Sequence, residues 1–279
     1  MGRIARSWAM FRASLRVLNA RRELALFPLL SGIATLFVAA GFLVPGLLAS
    51  RHSIGNGDQL RPVSYLLFFA GYLALAYVTI FFQAALVSQA DIALRGGDPS
   101  VAGGLEAARR KAGAMLPWAL LSATVSVILR NLEDRAGVLG RYAVGLVGIA
   151  WSLVTYLVVP ILVLENLTVG AALRGSSQLF KRTWGENVVG NAGVGLISFL
   201  VSLPGIAVFA LGVSAGGSAG IVLMVPGGMW LLAVAVVASA LSGIYQTALY
   251  RYAASGSVAP AFADANLRRA FPPLGGVTW

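Results

Sequence analysis

The sequence predicts an all-α polytopic membrane protein. It reads as a helical bundle of six transmembrane helices in three hairpins, each preceded by an amphipathic helix at the cytoplasmic interface. Three observations carry that expectation. Residues 24–50, 62–90, 112–129, 142–164 and 187–250 contain no Asp, Glu, Lys or Arg. Hydrophobic residues make up 58 % of the chain and charged ones only 11 %, outside the range of soluble domains. The Lys and Arg residues gather in short clusters between the apolar stretches. About twenty consecutive apolar residues cross a bilayer as a helix, since hydrocarbon offers the backbone no other hydrogen-bond partner.

The first element is an amphipathic segment, 3–22. Ile4, Trp8, Phe11, Leu15 and Leu18 recur at helical spacing on one face, with Arg3, Arg6, Arg12 and Arg16 around the rest. Arg21 and Arg22 close it. Spans 24–49 and 63–90 follow. The first is longer than the roughly 7–15 apolar residues of a secretory signal, so it reads as a retained span. The second amphipathic segment, 99–111, repeats the spacing at Val101, Leu105, Ala108, Ala112 and Met115, with Arg109, Arg110 and Lys111 off that face. Asp98-Pro99 suits its N-cap and first turn. Spans 113–129 and 142–164 come next. The third segment, 168–184, places Val169, Leu173, Ser176, Phe180 and Trp184 opposite Arg174 and Arg182.

The last charge-free stretch is long enough for two spans. Gly and Ser residues of 212–220 and then Pro226-Gly227-Gly228 should break it, giving spans 188–211 and 229–250 and a basic tail, 251–279. Charge supports the count. Six spans place 16 of the 21 Lys and Arg on one side. The positive-inside rule makes that side cytoplasmic, with both termini there, in a bacterial inner membrane. A seventh span would weaken the asymmetry.

Basic amphipathic helices lie in the interface, apolar face toward the acyl chains and cations toward phosphate. Arg3, Arg6, Arg12, Arg16, Arg21, Arg22, Arg109, Arg110, Lys111, Arg174, Lys181 and Arg182 are therefore candidate contacts to anionic lipid headgroups. The net charge of +11 is spread over every loop of one side, which fits lipid better than nucleic acid. The elements also repeat internally. Phe82-Gln83-Ala84-Ala85-Leu86 is similar to Tyr245-Gln246-Thr247-Ala248-Leu249 near the ends of spans two and six.

Ser7-Trp8, Ser14-Leu15-Arg16-Val17-Leu18 and Leu26-Phe27-Pro28-Leu29-Leu30-Ser31-Gly32 resemble the opening of a bacterial family of uncharacterised six-span integral membrane proteins. Gly96-Gly97-Asp98-Pro99 and Lys181-Arg182-Thr183-Trp184-Gly185-Glu186 resemble its later motifs. More distantly, the repeat is similar to the membrane domain attached to some glycerophosphodiester phosphodiesterases. The resemblance implies architecture and membrane location. It implies no reaction, because this chain lacks a catalytic domain of that kind.

Candidate chemistry is sparse. With no cysteine and a single histidine, His52, neither a thiolate nor an imidazole metal cluster can form. A metal or other cofactor is not expected, and neither is enzymatic activity. Glu133 and Asp134 alternate with Arg130 and Arg135, as an interfacial ion-pair cluster would. Gly190, Gly193 and Gly195 suggest close helix packing. The spans hold no ionisable group of the kind that drives ion-coupled transport. Gln83, Gln89, Asn191 and Gln246 are the polar intramembrane candidates, expected to hydrogen-bond between helices. Asp91 and Glu165 are interface carboxylates, expected to pair with arginines of the amphipathic segments. Pro28, Pro160 and Pro204 should free backbone carbonyls that other groups must satisfy. The leading expectation is a non-enzymatic membrane-organising or accessory protein that binds anionic lipid. The second is a permease or channel for a neutral or lipid-like solute, its path lined by Gln83, Asn191 and Gln246. Either is compatible with a protein partner or a homo-oligomer.

Overall fold

Helices account for nearly all of the described residues, as apolar sequence of this length requires. The computed structural model describes residues 3–56, 62–165, 167–256, 260 and 262, with side chains described outside 3–7, 49–56, 62 and 180–193. Helix α1 is Arg3–Ala20, followed by a 3-10 turn at Arg22–Ala25. Then come α2 (Leu26–Asn56), α3 (Pro62–Leu94), α4 (Val101–Arg135), α5 (Val138–Thr155), α6 (Val158–Leu164), α7 (Val169–Ala215) and α8 (Gly217–Ser255). Six stretches of 22–39 residues are long and apolar enough to cross a membrane: Arg22–Leu48, Val63–Leu94, Val101–Arg135, Val138–Leu164, Val194–Ala215 and Gly217–Ser255. The chain is an all-α membrane protein with six candidate spans.

The helices form two compact units, one of residues 1–28, 89–101 and 179–279, the other of 29–88 and 102–178. In the first unit, α1 packs against α8. Its protein-facing stripe is Met10, Ala13, Ser14, Val17 and Leu18, all buried. The last turns of α8, from Ala240 to Ala253, are almost wholly buried. Leu196, Leu211, Val222 and Met229 are instead exposed, as chain-facing residues of a span are. Helices α7 and α8 meet through their backbones in antiparallel order. A Cβ on Gly212 would lie 2.8 Å from the Gly220 carbonyl oxygen, and one on Gly227 would lie 2.8 Å from the Phe209 nitrogen. Farther along, the Trp230 indole N–H donates to the Val201 carbonyl at 2.8 Å. Such small residues replace side-chain packing by direct backbone approach, which lipid tails favour.

In the second unit, Gly46 and Gly71 receive Phe68 and Phe42 in the same antiparallel sense between α2 and α3. Trp118 of α4 stacks on Trp151 of α5, ring centroids 6.2 Å apart. The fourth span is broken between α5 and α6. Pro160 has no N–H and cannot tolerate a helical carbonyl four residues earlier, so α5 ends at Thr155. Ser176 of α7 repairs the break. Its hydroxyl accepts from the Leu157 N–H at 3.2 Å and donates to the Val154 carbonyl, and the residue is fully buried.

Several expected boundaries differ. The amphipathic segments at 99–111 and 168–184 are not separate helices. They run unbroken into the spans as α4 and α7, because nothing at Lys111-Ala112-Gly113 or Glu186-Asn187 stops a helix. Helix α4 starts at Val101, two residues after Pro99, so Asp98 lies outside it. The turn between the last two spans is confined to Gly216 and Gly217, at φ +63° and +53°. Pro226-Gly227-Gly228 does not break α8, since backbone packing on α7 overrides weak local propensity. Gly195 has nothing within 4 Å of a Cβ, so it is not a packing glycine. The side chains of Asn191, Lys181 and Arg182, and the positions of Gly190 and Gly193 relative to neighbours, lie outside the described residues, as does nearly all of the tail.

Glycine and serine variants test these packing assignments by thermal unfolding in detergent. Gly227→Leu forces a side chain into the Phe209 backbone and should destabilise by about 1–3 kcal/mol or more, whereas Gly195→Ala should be neutral or slightly stabilising. Ser176→Ala strands two backbone groups at the helix break. Its expected loss is about 1–3 kcal/mol, partly recovered by Ser176→Thr.

Candidate functional site

Where the apolar part of α3 ends, Asp91, Arg95 and Asp98 meet Arg21 and Arg251. Gly96 (φ +84°) turns the chain out of the helix. Its N–H donates to Ala93 at 3.0 Å and that of Gly97 donates to Ile92 at 2.9 Å, a Schellman closure that satisfies two terminal carbonyls. A Cβ on Gly97 would come within 2.8 Å of Ile92, so this second glycine is also needed. The Gln89 side-chain carbonyl accepts from the Ser100 N–H at 2.8 Å and ties the far end of the turn back to α3. Gln89 is thus a buried loop clasp. The expected hydrogen bond between span interiors is not what it makes.

Asp91 sits inside this clasp with 9 % of its side chain exposed. One carboxylate oxygen accepts from Arg251 of α8 at 2.8 Å and the other from Arg95 at 2.9 Å. Arg251 is itself mostly buried, at 20 % exposure, while Arg95 reaches solvent. The Arg251 Nε is buried with no hydrogen-bond partner among the described residues. The expected pairing with an arginine of an amphipathic segment is therefore corrected. Asp91 pairs with its own helix and with span six, because those guanidinium groups reach the buried carboxylate. Arg21, which follows α1, pairs instead with Asp98 of the Gly96 turn, whose side chain is 87 % exposed.

Helix α1 carries a second face beside its buried stripe. Trp8 stacks on Phe11, with centroids 5.6 Å apart, and the Arg12 guanidinium lies 5.0 Å over the Trp8 ring. Trp8 and Arg12 are exposed. Between the end of α1 and the Gly96 turn lies a cleft of about 220 Å³, lined by Arg16, Val17, Ala20 and Arg21, by Ala93, Leu94 and Gly96, and by Pro260. A larger cavity of about 540 Å³ in the other unit is bordered by Glu133, Arg141 and Tyr142. Neither is lined by Gln83, Gln89 or Gln246.

The remaining expected residues fall as follows. Arg22 and Arg174 are exposed. Arg109 and Arg110 are exposed and share Glu106, at 3.1 and 3.9 Å, above a buried face of Gly104, Ala108 and Met115. Lys111 and Gln83 are half-buried, Gln246 is buried and Glu165 is exposed. The side chains of Arg3, Arg6, Lys181, Arg182 and Asn191 lie outside the described residues. Sequence reasoning missed Arg251 and Arg95 as partners of Asp91. A signal existed: Asp91 and Arg251 are each the first charge after an apolar stretch, and they are opposite in sign.

A family of unknown function, DUF6159, matches residues 62–260, and the chain belongs to that family. No curated protein matches it. No solved structure matches it either.

The buried and exposed carboxylates should behave differently on neutralisation. Asp91→Asn leaves Arg251 without its charge partner and should cost about 3–5 kcal/mol, as broken buried pairs do. Asp98→Asn removes an exposed pair and should change stability by no more than about 1 kcal/mol. Thermal unfolding of both variants in the same detergent makes the comparison.

Proposed function

We propose that this member of a family without an assigned reaction is a non-enzymatic protein of the bacterial inner membrane. In this reading it binds anionic lipid on its cytoplasmic side and acts as a membrane-organising or accessory component. The observation that carries the reading is the double face of α1. Met10, Ala13 and Val17 hold the helix on the protein. The adjoining Trp8 and Arg12 face outward, as an indole and guanidinium at a headgroup boundary do.

The exposed Arg109 and Arg110 at the head of α4 support the same reading, because an interfacial helix can lead into a span without interruption. The antiparallel contacts would then belong to three hairpins, each entered through a basic amphipathic segment, with both termini cytoplasmic. A distant likeness to phosphodiesterase membrane domains would concern a membrane module and add no hydrolytic step. The reading is compatible with a protein partner or a second copy.

Thermal unfolding of the full chain in nanodiscs tests the electrostatic part. Phosphatidylglycerol should raise the midpoint above that in phosphatidylcholine at low salt, with the difference shrinking as salt screens the headgroups. Equal midpoints at low salt would overturn the reading.

A further inference from the structure

We propose that the cleft between the end of α1 and the Gly96 turn is a binding site for one phosphodiester headgroup of an anionic membrane lipid. The inference rests on the anionic-lipid reading above and assigns it a specific place. Two guanidinium-bearing residues, Arg16 and Arg21, line the cleft. Val17 and Leu94 supply apolar wall, and Gly96 and Pro260 border it. Cationic donors beside an apolar wall match a phosphodiester joined to a glycerol backbone. The volume of about 220 Å³ is below that of a drug-sized pocket, about 300–1,000 Å³, so the site holds a headgroup and leaves the acyl chains outside.

The depth is right for such a ligand. Arg21 immediately precedes the 3-10 turn that opens the first candidate span, whose Leu24 and Phe27 are fully buried. The N–H groups of Gly96 and Gly97 are spent on Ala93 and Ile92, so the cationic residues that line the cleft are Arg16 and Arg21. Arg21 now holds the exposed carboxylate of Asp98. That carboxylate is a replaceable anion: released from Arg21 it returns to water, while a phosphodiester oxygen takes its place on the guanidinium. Asp98 is thereby a built-in competitor. This distinguishes a ligand site from a structural ion pair, since removing Asp98 should strengthen binding.

Native mass spectrometry of the full chain, delipidated from nanodiscs of phosphatidylglycerol and phosphatidylcholine, reads the retained lipid. The wild type should keep one phosphatidylglycerol. Arg21→Gln and Arg16→Gln should each lower its affinity by about tenfold or more, the scale of a lost charged hydrogen bond. Asp98→Asn should raise it by several-fold, and Arg130→Gln, an exposed arginine at the far end of α4, should leave it unchanged. The Asp98 variant decides the matter even if an arginine variant fails to fold. Unchanged retention in Arg21→Gln and Asp98→Asn, with preference for phosphatidylglycerol intact, would overturn the cleft and leave the broader lipid reading standing. Absence of any preference in the wild type would overturn both. Displacement of the lipid by equimolar soluble glycerol phosphate would assign the cleft to a free phosphate ester and overturn the lipid as its occupant.

Discussion

Hydrocarbon supplies no hydrogen bond to a stray amide and no screening to a stray charge, and this constraint organises the whole protein. Each candidate span is helical along its apolar length because only a helix satisfies the backbone internally. Where Pro160 forbids that solution, the Ser176 hydroxyl bridges Val154 and Leu157 across the break. Where two helices must approach without side chains to interlock, glycines at 212, 220 and 227 let the backbones touch. The Ser176 hydroxyl thus does at the helix break what water would do in a soluble protein, while the glycines let the two helices pack without a gap.

The same constraint explains why charge appears where apolar sequence stops, and in what form. Asp91 is the first charge after its span and sits buried, so it needs compensation. Arg251 and Arg95 provide it from two directions. Closing the α3 terminus through Gly96 and Gly97 then leaves Asp98 exposed beside Arg21. One end of the first unit therefore holds a buried ion pair and an exposed one. The buried pair ties α3 to α8. The exposed pair borders the cleft proposed to take a lipid headgroup.

The number of candidate spans and the all-helical class were legible in the sequence because both follow from composition over twenty-residue windows. Boundaries were less legible. Pro226-Gly227-Gly228 reads as a break by local propensity, yet tertiary backbone packing on α7 keeps it helical. The amphipathic segments at 99–111 and 168–184 have the expected periodicity, but periodicity does not say whether a helix stops. For α1 the apolar face of Trp8, Phe11 and Leu15 was visible. The adjoining stripe of Met10, Ala13, Ser14 and Val17 was not, because Ala and Ser carry little hydropathy while permitting close approach. Asp91 could be singled out as an interface carboxylate. Its partner lies 160 residues away in Arg251, a pairing that no local pattern encodes.

The proposed topology puts the basic segments 3–22, 99–111 and 168–184 on the cytoplasmic side of the membrane and residues 133 and 218 on the other. The chain contains no native cysteine, so single cysteines report position without background. Glu133→Cys, Ser218→Cys, Ser100→Cys and Ser177→Cys, treated on intact cells with an impermeant thiol reagent, measure it directly. The account predicts labelling at 133 and 218 and protection at 100 and 177 until the membrane is permeabilised. Labelling at 100 or 177 in intact cells, or protection at 218, would contradict it.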